Sequence, residues 1–434
     1  MLDLIIKNGS CYIDKDLKNQ DIGIKDNKIV EIGKISKKAS EVVDAVGLTV
    51  LPGCIDTQVH FREPGSTDAE DLHSGSRAAI VGGITSVFEM PNTNPPTSNK
   101  IEFRKKLGLA KNRMFCNYAF YFGATPDNAS ELADLKNLEG CCGIKLFAGS
   151  STGNLLVQHE ADIEKVFQSS SKVVSVHSED EEILNMRKKM IKEGDVLTHP
   201  LWRNEECAIS STRRIVRIAE RYKKKAHILH VTTKQEIDFL SQHKENITFE
   251  ITPQHLTIFA PDCYEKLGTY AQMNPPLRDK SHYDRLWYGV RNNFLDIIGS
   301  DHAPHLKANK EKNYPNSPSG MPGVQTLMPV MLNHVNNEKL SLKQLMDFVC
   351  ENPVKIFGIK NKGFIKEGFD ADFTIVDMNK KILIKNKNIE SKCGWSPFDS
   401  FEFKGTPVLT IVGGQIKMRD GQILGEPDGK PLFF

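Results

Sequence analysis

Over residues 2–50 apolar and polar positions alternate around closely spaced turn residues. Leu4-Ile5-Ile6 stands before Asn8-Gly9, Ile22-Gly23-Ile24 before Asp26-Asn27, and Ile29-Val30-Glu31-Ile32 before Gly33. Half-buried strands joined by tight turns have this texture, so it predicts a small antiparallel sheet. The same texture returns in Phe373-Thr374-Ile375-Val376 and in Val408-Leu409-Thr410-Ile411-Val412 before Gly413-Gly414. The two ends, residues 1–51 and 359–434, are therefore expected to pair into one small composite β-sandwich domain beside a central region over 52–358.

In that central region short apolar runs alternate with longer helical stretches, such as 181–192 and 210–224. Eight candidate strands can be read, at 54–60, 84–90, 115–122, 143–147, 173–177, 226–231, 247–252 and 296–300. Eight strand-then-helix units fit an α/β fold of the (β/α)8 TIM-barrel kind, for which about 250 residues is typical. A doubly wound open sheet has the same one-dimensional texture and stays open on pattern alone. Residues 302–323 are rich in Asn, Lys, Pro and Ser and read as a long loop.

Composition narrows the function classes. With 39% hydrophobic and 26% charged residues over 434 positions, the chain has ample material for a core, which excludes a disordered or disulfide-stapled protein. Lys+Arg 57 against Asp+Glu 55 leaves +2, and the basic residues are scattered, so the footprint of a nucleic-acid binder is missing. The compact run Lys223-Lys224-Lys225 reads as the solvated end of a helix. Nine cysteines without a CxxC pair point to reduced thiols in a cytoplasmic protein and away from a zinc finger. Asp3 interrupts the first apolar run, so no signal peptide or membrane anchor is expected there, and no later run approaches the ~18 apolar residues of a membrane span.

The polar residues of interest follow the apolar runs: His60 and Arg62, Asn92, Lys145, His177, His230, and Asp301 with His305. In a barrel all strand C-termini open onto one face, where sequence-distant side chains converge. Any one histidine is ordinarily a structural residue. The repeated placement makes His60, His177 and His230 candidate ligands of one metal site, with Asp301 as the carboxylate partner. Arg62, two positions beyond His60, is expected on the same strand face.

The motifs Gly53-Cys54-Ile55-Asp56-Thr57-Gln58-Val59-His60-Phe61-Arg62-Glu63-Pro64-Gly65, Glu89-Met90-Pro91-Asn92-Thr93, Asn274-Pro275-Pro276-Leu277-Arg278 and Gly299-Ser300-Asp301-His302-Ala303-Pro304-His305 resemble those of dihydroorotase in the amidohydrolase superfamily. The likeness extends to Ser319-Gly320-Met321-Pro322-Gly323 and Trp395-Ser396-Pro397-Phe398. It implies a zinc-bearing barrel that reversibly cyclises N-carbamoyl-L-aspartate to L-dihydroorotate for pyrimidine biosynthesis. His60, His177, His230 and Asp301 would hold the metal, and Asp301 would also move the proton. Arg62, with Asn92, Asn274 and His305, would bind the substrate, the guanidinium clamping its carboxylate bidentately.

Two features depart from the family pattern. Gln58 replaces the first histidine of the usual His-x-His, and a carboxamide is a weak or absent ligand beside imidazole. Lys145 ends the fourth strand with no acid before Glu160, so resemblance favours carbamylated Lys145 as the bridging group. The expectation is one tightly bound Zn2+ per chain and at most a weakly held second. A homodimer, and association with aspartate transcarbamoylase, are implied at the family level. The rival readings are a non-catalytic scaffold subunit for that transcarbamoylase, suggested by Gln58, and a hydantoinase- or allantoinase-type cyclic amidohydrolase.

Overall fold

The computed structural model describes residues 1–151 and 155–434. Seven strands open the chain: β1 (Leu2–Lys7), β2 (Ser10–Ile13), β3 (Asp16–Asn19), β4 (Asp21–Lys25), β5 (Lys28–Gly33), β6 (Ala39–Asp44) and β7 (Thr49–Pro52). Eight more occupy the centre: β8 (Cys54–Val59), β9 (Ile84–Glu89), β10 (Asn117–Gly123), β11 (Cys141–Phe147), β12 (Val174–His177), β13 (Ala226–Ile228), β14 (Ile247–Ile251) and β15 (Ile297–Ile298). Four end it: β16 (Phe373–Leu383), β17 (Glu402–Val412), β18 (Gln415–Arg419) and β19 (Gln422–Ile423).

Strands β8 to β15 pair in chain order into one eight-stranded sheet whose neighbours run parallel. Parallel neighbours need crossovers, which helices such as Leu72–Val81, Lys100–Ala110, Glu160–Ser169 and Lys280–Arg291 supply. Every residue of β8, β9, β10 and β11 is buried, as strands covered on both faces must be, and this explains their near-continuous apolar sequence. The architecture is the TIM barrel, and the open-sheet alternative falls.

The barrel closes between β15 and β8 through a seam that is partly side chain. Ser300 N donates to Asp56 Oδ1 at 3.0 Å, His60 N donates to the His302 carbonyl at 2.7 Å, and Val59 bridges His302 in parallel. The last strand is thus shorter than the 296–300 expected, because Asp56 takes over the amide that a further ladder rung would have used. The stretch expected at 210–224 lies within the helix Glu205–Arg221, which begins earlier because Asn204 Oδ1 caps Cys207 N at 3.3 Å.

The remaining strands form a four-stranded sheet, ordered β5-β4-β1-β6, and a seven-stranded sheet, ordered β19-β18-β17-β16-β7-β2-β3. Strands from the two chain ends meet where β16 runs antiparallel to β7, Phe373 opposite Pro52. Leu4, Ile24, Val43, Val50, Phe373 and Ile411 belong to one buried apolar cluster that joins the two sheets. One expectation is corrected: the N-terminal sheet is not wholly antiparallel. The β4-β5 hairpin occupies one edge of β1, so β6 returns to the other edge, parallel to β1, with Leu4 opposite Glu41.

Candidate active site

The parallel strands deliver their C-terminal residues to one end of the barrel. Gln58, His60, Arg62, Asn92, Lys145 and His177 line a single cavity there with His230, Asn274 and Asp301. His305 lines an adjoining space of about 430 Å3 that shares Arg62 and Asn92 with the first. Strand β8 stops at Val59, so Arg62 is not on its face. A left-handed turn at Arg62 (φ 61°) places its guanidinium instead, with Nε donating to the Pro304 carbonyl at 3.1 Å and Nη2 3.3 Å from His305 Nε2. His230 (φ 38°) and Asp301 (φ 44°) also hold left-handed backbones, a costly conformation for residues with a Cβ.

Hydrogen bonds at the rear of two rings fix which nitrogen carries a lone pair. Asn92 Oδ1 accepts from His60 Nδ1 at 2.8 Å, which leaves His60 Nε2 unprotonated and 3.3 Å from Asp301 Oδ1. Glu179 accepts from His177 Nε2 at 2.9 Å, which turns the lone pair of His177 Nδ1 toward His230 Nε2, 3.1 Å away. Gln58 Nε2 donates to Asp301 Oδ1 at 3.0 Å. Among the described residues Lys145 Nζ and Gln58 Oε1 are buried without a hydrogen-bond partner. Lys145 Nζ lies 4.5 Å from the centre of the Phe147 ring.

Burial dominates the electrostatics. It pushes His60 and His230 well below the usual imidazole range, helped by the cations Arg62 and Lys145 at His60, and it lowers His177 as well. All three rings are neutral at physiological pH, the form that binds a cation. Burial likewise raises Asp301 and lowers Lys145, each opposed by the charge of the other. Glu179 behaves differently: burial would raise it, but Arg203 and His177 override that and hold it well below the carboxylate range.

Among the described residues no three His, Cys, Asp or Glu side chains stand set around one point for a metal. The donors come as two facing pairs, His177 with His230 and His60 with Asp301. Two nitrogens bound to one tetrahedral ion at roughly 2.0–2.1 Å lie about 3.3 Å apart, close to the separation of the first pair. A ligand imidazole characteristically gives its other N–H to a carboxylate, as His177 does to Glu179. The donor set fits a divalent cation.

The residues behind the ligands are not among those the sequence motifs single out. Glu179 is fully buried; Arg203 grips it through Nε at 3.1 Å and also donates to the Ser150 carbonyl at 2.6 Å. The spacing His177-Ser178-Glu179 was a usable signal for the carboxylate, whereas nothing in the sequence ties Arg203 to it. Among the described residues Asp301 caps no helix, the next one downstream being Lys307–Lys310.

A model of the amidohydrolase family matches residues 49–417. The chain is 35% identical to the dihydroorotase of Methanosarcina acetivorans, over 98% of this chain and 94% of that protein. It is 33% identical to the dihydroorotase of Pyrococcus furiosus, over 99% and 96%. Among solved structures, L-hydantoinase (dihydropyrimidinase) from Arthrobacter aurescens superposes with a TM-score of 0.95 at 29% identity, covering 100% of both chains. The chain belongs to the amidohydrolase family, and within it to the dihydroorotases.

Proposed function

We propose that this chain is a zinc-dependent dihydroorotase that interconverts N-carbamoyl-L-aspartate and L-dihydroorotate. The observation that carries the reading is Arg62. Its side chain is buried, and among the described residues no carboxylate lies within ion-pair distance of it, Asp301, Glu89 and Glu70 acting only from farther off, so a fixed positive charge at the cavity boundary is free to take an anion in direct contact. Burial lowers its pKa only to about 10, so the guanidinium remains charged. Dihydroorotate supplies the anion as a ring carboxylate, and Asn92, Asn274 and His305 supply further polar contacts. The likeness to L-hydantoinase favours a second reading, a cyclic amidohydrolase of hydantoins, but such a substrate offers no carboxylate for Arg62 to clamp.

His60, His177, His230 and Asp301 would hold the cation. When bound, it lowers the pKa of a water toward neutrality and polarises the amide carbonyl. Asp301, oriented by the Gln58 amide, would accept the proton of the attacking water and return it to the leaving ring nitrogen. Burial keeps part of Lys145 as the neutral amine, the form that joins CO2 to give a carbamate with release of one proton. We further propose one tightly held Zn2+ per chain, because Gln58 offers an amide where an imidazole would hold a second. A cytoplasmic homodimer, with or without aspartate transcarbamoylase, completes the reading.

The test is turnover from both sides. Ring closure turns a dianion into a monoanion and consumes one proton, so the equilibrium ratio of carbamoyl-aspartate to dihydroorotate rises about tenfold per pH unit. A ratio independent of pH, or no turnover by protein shown to carry metal, overturns the assignment.

A further inference from the structure

The Trp395-Ser396-Pro397-Phe398 segment is far in sequence from every candidate site residue, yet it lies in the connection between β16 and β17, which packs against residues 67–77 and His305. Glu390 pairs with Arg77 at 2.9 Å, and the Ser391 hydroxyl donates to the buried carboxylate of Glu70. Lys392 Nζ reaches Asp71 at 2.5 Å and the Thr67 carbonyl at 2.8 Å. Each of these contacts falls on the stretch that follows Arg62 or on the helix after it. Glu70 in turn accepts from His302 Nε2 at 3.3 Å, while His302 Nδ1 accepts from Gly323 N at 3.0 Å.

Trp395 completes the set. It is only 1% exposed, and its indole Nε1 donates to the His305 carbonyl at 2.8 Å. The ring shares an apolar cluster with Leu277 and with Met273 and Met321, which adjoin Asn274 and Gly320 of the cavity lining. Tyr270 meets it edge-on at 4.9 Å. A single side chain from the β16–β17 connection thus backs three separate walls of the site without touching the cavity itself. Through Pro304, whose carbonyl receives Arg62 Nε, the segment it holds also carries the guanidinium.

We propose that Trp395 is a positioning residue for the substrate's anionic end: its N–H fixes the 304–305 backbone, and with it the placing of His305 and Arg62. This rests on the dihydroorotase reading above, because it is that substrate's carboxylate that the two side chains meet. The effect should fall on binding, since His60, His177 and Asp301 are held by other partners.

Trp395→Phe keeps a ring in the cluster and removes the N–H. The KM for dihydroorotate should rise about five- to tenfold, as loss of one buried hydrogen bond predicts, with kcat, metal content and melting temperature close to wild type. In a His305→Ala background the same change should shrink to about twofold, because the two act through one backbone segment. In resting protein the Ala303 amide, which donates to the Met321 carbonyl, should exchange with deuterium faster in the variant. If Trp395→Phe fails to melt cooperatively, benzothienylalanine at position 395, bicyclic but without the N–H, gives the same readouts. Unchanged KM and exchange, additive effects with His305→Ala, or a joint fall in kcat and metal content overturns the proposal. Wild-type protein that carries metal but does not turn over dihydroorotate instead removes the function reading, and this positioning role falls with it.

Discussion

In the β-sandwich, Leu4, Ile24, Val43 and Ile411 are buried, apolar and set in hydrogen-bonded strands of two sheets. At the barrel mouth the buried residues are charged or polar. Lys145 Nζ and Gln58 Oε1 have no hydrogen-bond partner among the described residues, and Arg62, His230 and Asp301 sit in left-handed backbone. Each such backbone costs roughly 1–2 kcal/mol and each unpaired buried polar group a similar amount, so the mouth is held in place by the rest of the molecule. The lesson is a division of labour: one region supplies stability without chemistry, the other holds reactive groups in arrangements that do not stabilise the fold.

Substitutions at the mouth should therefore destroy activity while sparing the fold. The largest expected effect is that of Asp301→Asn, which removes the proton acceptor and should lower turnover of dihydroorotate about a thousandfold or more, with a melting temperature within a few degrees of wild type. Near-wild-type turnover would remove Asp301 from its role. Arg62→Lys keeps the charge and loses the fork, so kcat/KM on dihydroorotate should fall about ten- to hundredfold, and much less on a neutral cyclic amide. Equal losses on both substrates would break the carboxylate clamp.

The opposite signature should come from Ile24→Ala in the sandwich: unfolding free energy lower by about 3 kcal/mol in urea melts, with kcat/KM unchanged wherever the protein is folded. A kinetic defect in that variant would erase the distinction between the two regions. The smallest effect sharpens it. Gln58→His should raise bound metal from about one toward two ions per chain if Lys145 is carbamylated, and change little if it is not, since nothing else would hold two cations against their repulsion. Elemental analysis of both proteins after dialysis reads the difference.

Much of the barrel was legible because buried parallel strands leave short apolar runs, and the eight runs read from the sequence coincide with β8 to β15 to within a few residues. The candidate side chains were legible for a related reason: a polar residue just after such a run has little to do in a core. What escaped were relations between distant segments. Arg203 behind Glu179 and Trp395 behind His305 are joined to their partners only by the fold, and Asp56 in the seam looked like one more acid inside a motif. Backbone sign at Arg62, His230 and Asp301 is likewise invisible, because any of these residue types ordinarily avoids it. The parallel placement of β6 was missed because its alternation is the same in either direction.

The seam between β15 and β8 has a consequence for how the chain is made. His60 belongs to the first unit of the barrel to leave a ribosome and Asp301 to the last, and the two face each other only across that seam. A nascent chain whose translation has not yet passed residue 302 has nothing to bridge β8, and so no complete set of donors. The full donor set therefore waits for nearly complete synthesis, and a truncated product, however much of its sheet has formed, has at most the His177–His230 pair.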